Sequence, residues 1–115
     1  MPGYLKEVNI KDDMPAAGDA IRRIIYHIHT AKALGAGAVK IIHGYGSSGK
    51  GGKIRVEVRR YLASQKSKEV IFDYIEGENF SIFDQATRSA FSRCGELRHD
   101  PDLERHNNGV TFIIL

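Results

Sequence analysis

Apolar positions along this chain alternate between strand-like and helix-like spacing. Leu5, Val8 and Ile10 mark a strand over Leu5 to Ile10. Asp12-Asp13 and Met14-Pro15 supply acid and a first-turn proline, after which Ile21, Ile24, Ile25, Ile28 and Ala31 recur on one helical face. Gly35 and Gly37 end that helix. Ala38 to His43 reads as a second strand, with Val39-Lys40-Ile41-Ile42 buried. A glycine-rich stretch follows, and then Ile54, Val58, Tyr61 and Leu62 predict a second helix to about Ser64. Gln65 to Glu69 is a polar connection, and Val70 to Ile75 a third strand. Ser81 with Asp84 resembles a capping box, which predicts a third helix from Ser81 to near Cys94. Residues 95–108 are polar and irregular. Val110 to Leu115 is apolar on both faces, as in a central strand or one tucked under helices. Strands alternating with helices imply an α/β fold, its early strands parallel or mixed through right-handed crossovers. Neither a linker nor an internal repeat divides residues 1–115, so one domain is expected.

Composition narrows the class. With 42% hydrophobic and 27% charged residues, the chain fits an ordinary globule rather than a disordered one. Its apolar runs fall short of the roughly 20 residues that span a bilayer, and no basic-then-apolar leader opens the sequence. The single cysteine, Cys94, excludes an internal disulfide framework and fits a reducing, cytoplasmic setting as a small core residue. The net charge of +3 conceals an uneven distribution: Lys40 to Lys68 holds eight Lys or Arg against Glu57 alone. The other residues hold nine bases and thirteen acids. Such a concentration is either a solvated helix face bearing Arg55, Arg59 and Arg60 or a footprint for phosphates.

The glycine-rich stretch favours the footprint. From His43 to Arg55, five of thirteen residues are glycine, three are Lys or Arg, and none is acidic. Between a strand and a helix N-terminus, such a loop turns N–H groups toward an anion with the helix dipole assisting. Gly44, Gly46 and Gly49 satisfy a dinucleotide pattern, but the acid that should end the next strand is displaced to Glu69 or Asp73. The Walker A pattern runs from Gly44 to Lys50 and fails at Gly51, where a magnesium-binding hydroxyl belongs. An NTP-binding protein is therefore the weakest of the readings. Of the five histidines, His27 and His29 lie two apart on a helix and cannot share a ligand, and no cysteine spacing suits zinc. No metal site or cofactor is expected. His43, at the junction of strand and loop, is placed to contact phosphate, to act as acid or base, or to pin the turn.

With these residues in view the chain resembles a small MutS-related (Smr) domain over nearly its whole length. Lys40-Ile41-Ile42-His43-Gly44-Tyr45-Gly46 and Gly51-Gly52-Lys53-Ile54-Arg55 match that family's I-I-H-G-x-G and glycine-glycine-x-L-R signatures. Asn108-Gly109-Val110-Thr111-Phe112-Ile113 is similar to its final G-x-T-x-V strand. The resemblance implies a two-layer α/β sandwich, an about four-stranded mixed sheet with helices, similar to the C-terminal domain of bacterial translation initiation factor three. It also implies nucleic-acid binding, with nicking or RNA cleavage in some members.

The family's first strand commonly ends in L-D-x-H-G, whose Asp and His are implicated in cleavage; here the stretch is Val8-Asn9-Ile10-Lys11-Asp12. Asn9 cannot serve as a carboxylate base, and Lys11 is a cation with a high ordinary pKa. Asp12 and Asp13 lie further on, where a shift by one residue reverses the face of a strand. The leading expectation is thus a nucleic-acid-binding module for RNA or branched DNA. Its contacts are His43, Gly44, Tyr45, Gly46, Lys50, Gly51, Gly52, Lys53, Arg55 and Arg59. The alternative is a metal-independent endonuclease using His43 with Lys11 or Asp12. Nothing in the residues reads base edges, separates RNA from DNA, or specifies an oligomeric state.

Overall fold

A computed structural model describes residues 3–11, 16–44 and 50–115, with residues 17, 50 and 51 described by backbone alone. Strand β1 (Leu5–Asn9) leads to helix α1 (Ala17–Ala33), strand β2 (Ala38–Ile42) and helix α2 (Lys50–Ser67). Strand β3 (Asp73–Glu76), a short 3-10 turn (Gly77–Asn79), helix α3 (Gln85–Arg93), a second 3-10 turn (Gly95–His99) and strand β4 (Val110–Ile114) complete the order. The sheet runs β1-β2-β4-β3. β1 and β2 are parallel, with Asn9 opposite Ile42. β4 is antiparallel to both β2 and β3, so β2 and β3 point the same way. Every residue of β4 is buried, as its two-sided apolar pattern predicts for a central strand.

Residues alternate between the two sheet faces. Val8, Ile10, Val39, Ile41 and Ile113 meet Ile24, Ile28 and Ala31 of α1 and Ile54, Val58 and Leu62 of α2. On the other face Ala38, Ile75, Val110, Phe112 and Ile114 pack with Phe80, Ala90, Phe91, Cys94 and Leu97. The α1–α2 layer and the sheet thus form the expected sandwich, and α3 with the 3-10 turns adds a second cover. Cys94 is fully buried in that cover, and burial pushes its thiol pKa up, so it is a core side chain.

Element boundaries differ from expectation where side chains found other partners. α1 closes on Gly35 at φ +79, with the Ala36 N–H donating to Ala31 O and the Gly35 N–H to Lys32 O. The anticipated start at Asp12-Asp13 and Pro15 lies outside the described residues. α2 runs to Ser67 rather than Ser64. β3 begins at Asp73, not Val70, because the chain turns at Glu69 (φ 61) and Phe72 sits under the Arg93 guanidinium, 3.7 Å from ring centroid. α3 begins at Gln85, not Ser81. Asp84 is its cap, accepting from the Thr87 N–H at 3.0 Å, whereas the Ser81 hydroxyl turns to Glu104. The 95–108 segment contains the second 3-10 turn and is tied down by Lys40. That lysine is buried within β2, 2.9 Å from Asp100 and 2.6 Å from Asp102.

Candidate functional site

The C-terminal ends of β1 and β2 and the start of β4 converge beside the N-terminal turns of α2. The Gly109 carbonyl accepts from both the His43 N–H (3.0 Å) and the Gly44 N–H (2.9 Å), clamping the end of β2 to β4. Ile10 N–H donates to Ile42 O, which carries β1 alongside until Lys11 reaches Gly44. Gly44 has φ +83, the left-handed region that favours glycine. A Cβ added there would lie 3.6 Å from Lys11 Cβ and 3.7 Å from Lys11 Cδ, so the lysine stem borders the start of the glycine loop.

His43 lies beneath this junction, fully buried on the α1–α2 face. Its Nε2 is 2.8 Å from Thr111 Oγ1, and its Nδ1 is 3.0 Å from the Gly44 carbonyl. Arg59 of α2 donates through Nε to the same Thr111 oxygen at 3.1 Å. The Gly44 carbonyl can only accept, so Nδ1–H donates to it; in the neutral ring Nε2 then accepts, and the Thr111 hydroxyl donates to it. The relay therefore holds one neutral tautomer of His43. Burial foremost, then the positive Arg59 and Arg55, lower its pKa to about 4. The Gly44 carbonyl and Glu78 pull the other way and lose. His43 is thus uncharged at neutral pH, with both ring nitrogens engaged.

Arg59 is similarly committed. Its guanidinium grips Glu78 through two bonds of 2.7 and 2.8 Å, donates to Val110 O at 3.2 Å and lies 3.3 Å from Glu76. Its side chain is only 12% exposed, so it is turned inward rather than toward a ligand. The bond from Arg59 holds the Glu78 carboxyl below its ordinary pKa, overcoming the burial that raises it. Sequence reasoning missed Thr111 and Glu78 as members of this network. The G-x-T-x-V match already contained Thr111, whereas Glu78 lies in a stretch with no motif to mark it.

The basic footprint contracts accordingly. Of the eight cations from Lys40 to Lys68, Lys40 is buried on two aspartates, Arg59 on Glu78, Arg60 pairs with Glu57 and Lys66 with Asp73. Lys53, exposed in the first turn of α2, and Arg55, half-buried one turn before Arg59, form no ion pair among the described residues. Lys11, exposed, is likewise unpaired through its ammonium. α2 carries no acid in its first turn, whereas α1 has Asp19 and α3 is capped by Asp84. Among the described residues, no acid therefore stands at the positive end of the α2 dipole. Gly52 lies in that turn; Lys50 and Gly51 are there as backbone. Tyr45, Gly46 and Asp12 lie outside the described residues. Asn9 replaces the expected acid, and its Oδ1 accepts from the Lys11 N–H at 3.0 Å. No group of metal-ligating side chains occurs among the described residues, and no described helix is long and apolar enough to cross a membrane.

A family model described as the Smr domain matches residues 16–77, from the start of α1 to the first 3-10 turn. Among solved structures, the crystal structure of the Smr domain of Thermus thermophilus MutS2 aligns over 96% of this chain and 96% of its own, with a TM-score of 0.59 and 19% identity. At that identity the likeness speaks for the fold. No curated protein matches the chain.

Proposed function

Because the chain belongs to the Smr domain family, which in general binds nucleic acid or cuts it, we propose that this protein is a nucleic-acid-binding module that holds a phosphate backbone at the β2–α2 junction. One observation carries the reading. Lys11, Lys53 and Arg55 form no ion pair among the described residues near the acid-free first turn of α2, while Lys40, Arg59, Arg60 and Lys66 are each paired with carboxylates. Phosphate oxygens supply the missing negative charge, and the N–H groups at the start of α2 supply donors. Structured RNA and branched DNA both present closely spaced phosphates to such a junction.

In this reading His43 positions rather than reacts. A buried, neutral imidazole with both nitrogens bonded neither attracts phosphate by charge nor reaches a scissile bond. It holds the Gly44 carbonyl inward, which fixes the backbone from which the loop departs. Asn9 supplies no carboxylate where a cleaving relative would use one, so binding without efficient cleavage is the expected behaviour.

The experiment is a gel shift with an RNA hairpin and a four-way DNA junction, titrated with salt and scored on labelled strands with chelator present. A shift whose affinity falls linearly in log salt, with strands left intact, supports the proposal. Absence of binding, or binding indifferent to salt, would overturn it. Chelator-resistant cleavage would restore the endonuclease reading.

A further inference from the structure

On the second cover of the sheet, the turn between the first 3-10 turn and α3 projects two apolar side chains into solvent. Phe83 is 84% exposed, the most of any large hydrophobic residue among those described, and Ile82 beside it is 49% exposed. Exposed rings usually sit on mobile or weakly built surface, but this turn is braced from several sides. Ser81 Oγ donates to Glu104 Oε1 at 2.7 Å, and the Ile82 N–H donates to Glu104 Oε2 at 2.6 Å. The Phe83 N–H donates to Ser81 Oγ at 3.1 Å, and Arg88 Nη1 donates to the Ile82 carbonyl at 2.8 Å. Glu104 takes a left-handed conformation, φ 67, while its own N–H donates to Phe80 O. Phe80, the root of the turn, is buried against Phe112 with ring centroids 4.1 Å apart. The backbone thus holds the ring out from the body of the domain.

We infer that the Ile82–Phe83 turn is a wedge that stacks an unpaired base of the nucleic acid held at the β2–α2 junction, an inference that rests on the function proposed above. Position is the first argument. β3 runs parallel to β2 and delivers the chain to Glu78, whose carboxylate grips Arg59 beside His43. Phe83 follows Glu78 by five residues, so its Cα lies within about 18 Å of that of Glu78, the span of a few nucleotides. Charge is the second. The two carboxylates of the turn keep their charge but are held by local donors, Asp84 by the α3 N-terminus and Glu104 by Ser81 and Ile82. Arg88, Arg105 and His106 are exposed on the same turn and its bracing loop. Shape is the third. Two adjacent side chains offer a ring face and an aliphatic shoulder, which suits insertion beside one base. A protein-docking face commonly spans several hundred Å² of contiguous apolar surface. The occupant is therefore a nucleobase in a bulge, loop or junction, where stacking partners are already lost.

The test uses the full chain with a DNA duplex holding one bulged 2-aminopurine, an RNA of the same design, and fully paired versions of each. Phe83→Ala, Phe83→Trp and Lys53→Ala are compared with the parent by anisotropy and 2-aminopurine emission. Because Phe83 is exposed, its replacement leaves the fold intact, which circular dichroism checks. Phe83→Ala should weaken binding to bulged probes about 5- to 150-fold, the range for one aromatic–base stack. It should also abolish the 2-aminopurine quench, spare fully paired probes, and be rescued by Phe83→Trp. Lys53→Ala should weaken bulged and paired probes alike and leave the quench at saturation. Unchanged affinity and quench in Phe83→Ala, with Lys53→Ala still impaired, overturns the wedge and leaves the phosphate site standing. No binding by the parent overturns both. A parent that self-associates, becoming monomeric on Phe83→Ala with no change in probe binding, overturns the wedge in favour of a second copy as occupant.

Discussion

His43 Nε2 and Thr111 Oγ1 lie 2.8 Å apart across the β2–β4 pair, although 68 residues separate them in the chain. Between them they join the start of the glycine loop to Arg59 of α2 and, through it, to Glu78 after β3. Removing the hydroxyl would leave an imidazole nitrogen and an Arg59 N–H without their partner in a buried site. Thr111→Val should therefore cost about 1–3 kcal/mol in urea unfolding despite its nearly unchanged shape. Thr111→Ser should recover most of that, and a loss identical in both variants would assign the effect to packing instead.

The depressed pKa of His43 predicts a pH dependence of defined sign. Between its folded value of about 4 and the unfolded value near 6.5, the unfolded chain binds a proton that the native state does not. Stability therefore rises with pH across this window and is lost as pH falls through it, by about 3 kcal/mol in all. Glu78 and Asp102, both held below their ordinary values by cationic partners, add acid sensitivity only at lower pH. Unfolding measured from pH 4 to 7.5 checks the slope, and His43→Gln should flatten it. A proton NMR titration placing His43 near its ordinary value would contradict the burial argument.

Cations on α2 should separate into two classes. Lys53→Ala and Arg55→Ala should each lower the salt slope of nucleic-acid binding by about one ion while leaving stability within about 0.5 kcal/mol. Arg59→Ala should instead destabilise by about 1.5–3 kcal/mol, since Glu78, Thr111 and the Val110 carbonyl lose a charged donor. A salt slope reduced by Arg59→Ala at full folding would return that residue to the footprint.

At Gly44 the backbone and the proposed phosphate contact make the same demand. Gly44→Val forces a β-branched residue to φ +83 and places its bulk against Lys11. The expected outcome is a loss of about 1–3 kcal/mol of stability and a larger loss of binding than any single cation removal. Full affinity in a natively folded variant would show that the loop does not approach the phosphate closely.

Lys40 tests the segment that leads into β4. Lys40→Met should cost about 3–5 kcal/mol, because Asp100 and Asp102 are left as poorly solvated carboxylates. Thermal unfolding reads this directly. A double variant adding Asp100→Asn should be less destabilised than the sum of the two singles.

What the sequence by itself determined is the local and the repetitive. Ile24 and Ile28, or Ile54, Val58 and Leu62, state a helix through spacing alone, and the two-sided apolar run from Val110 to Leu115 states a strand covered on both faces, central or tucked under helices. The glycine-rich composition between β2 and α2 was likewise read from the sequence, although residues 45–49 lie outside the described residues. Tertiary structure alone decided that β4 enters antiparallel between β2 and β3, since pairing across the sheet leaves no period in the chain. It also decided which cations are paired with carboxylates. Arg59 and Lys40 read as members of one basic run, yet their carboxylate partners stand 19 and 60 residues away. A charge pattern records how many cations a segment holds. Only folding, by bringing distant acids beside some of them, sets which are neutralised.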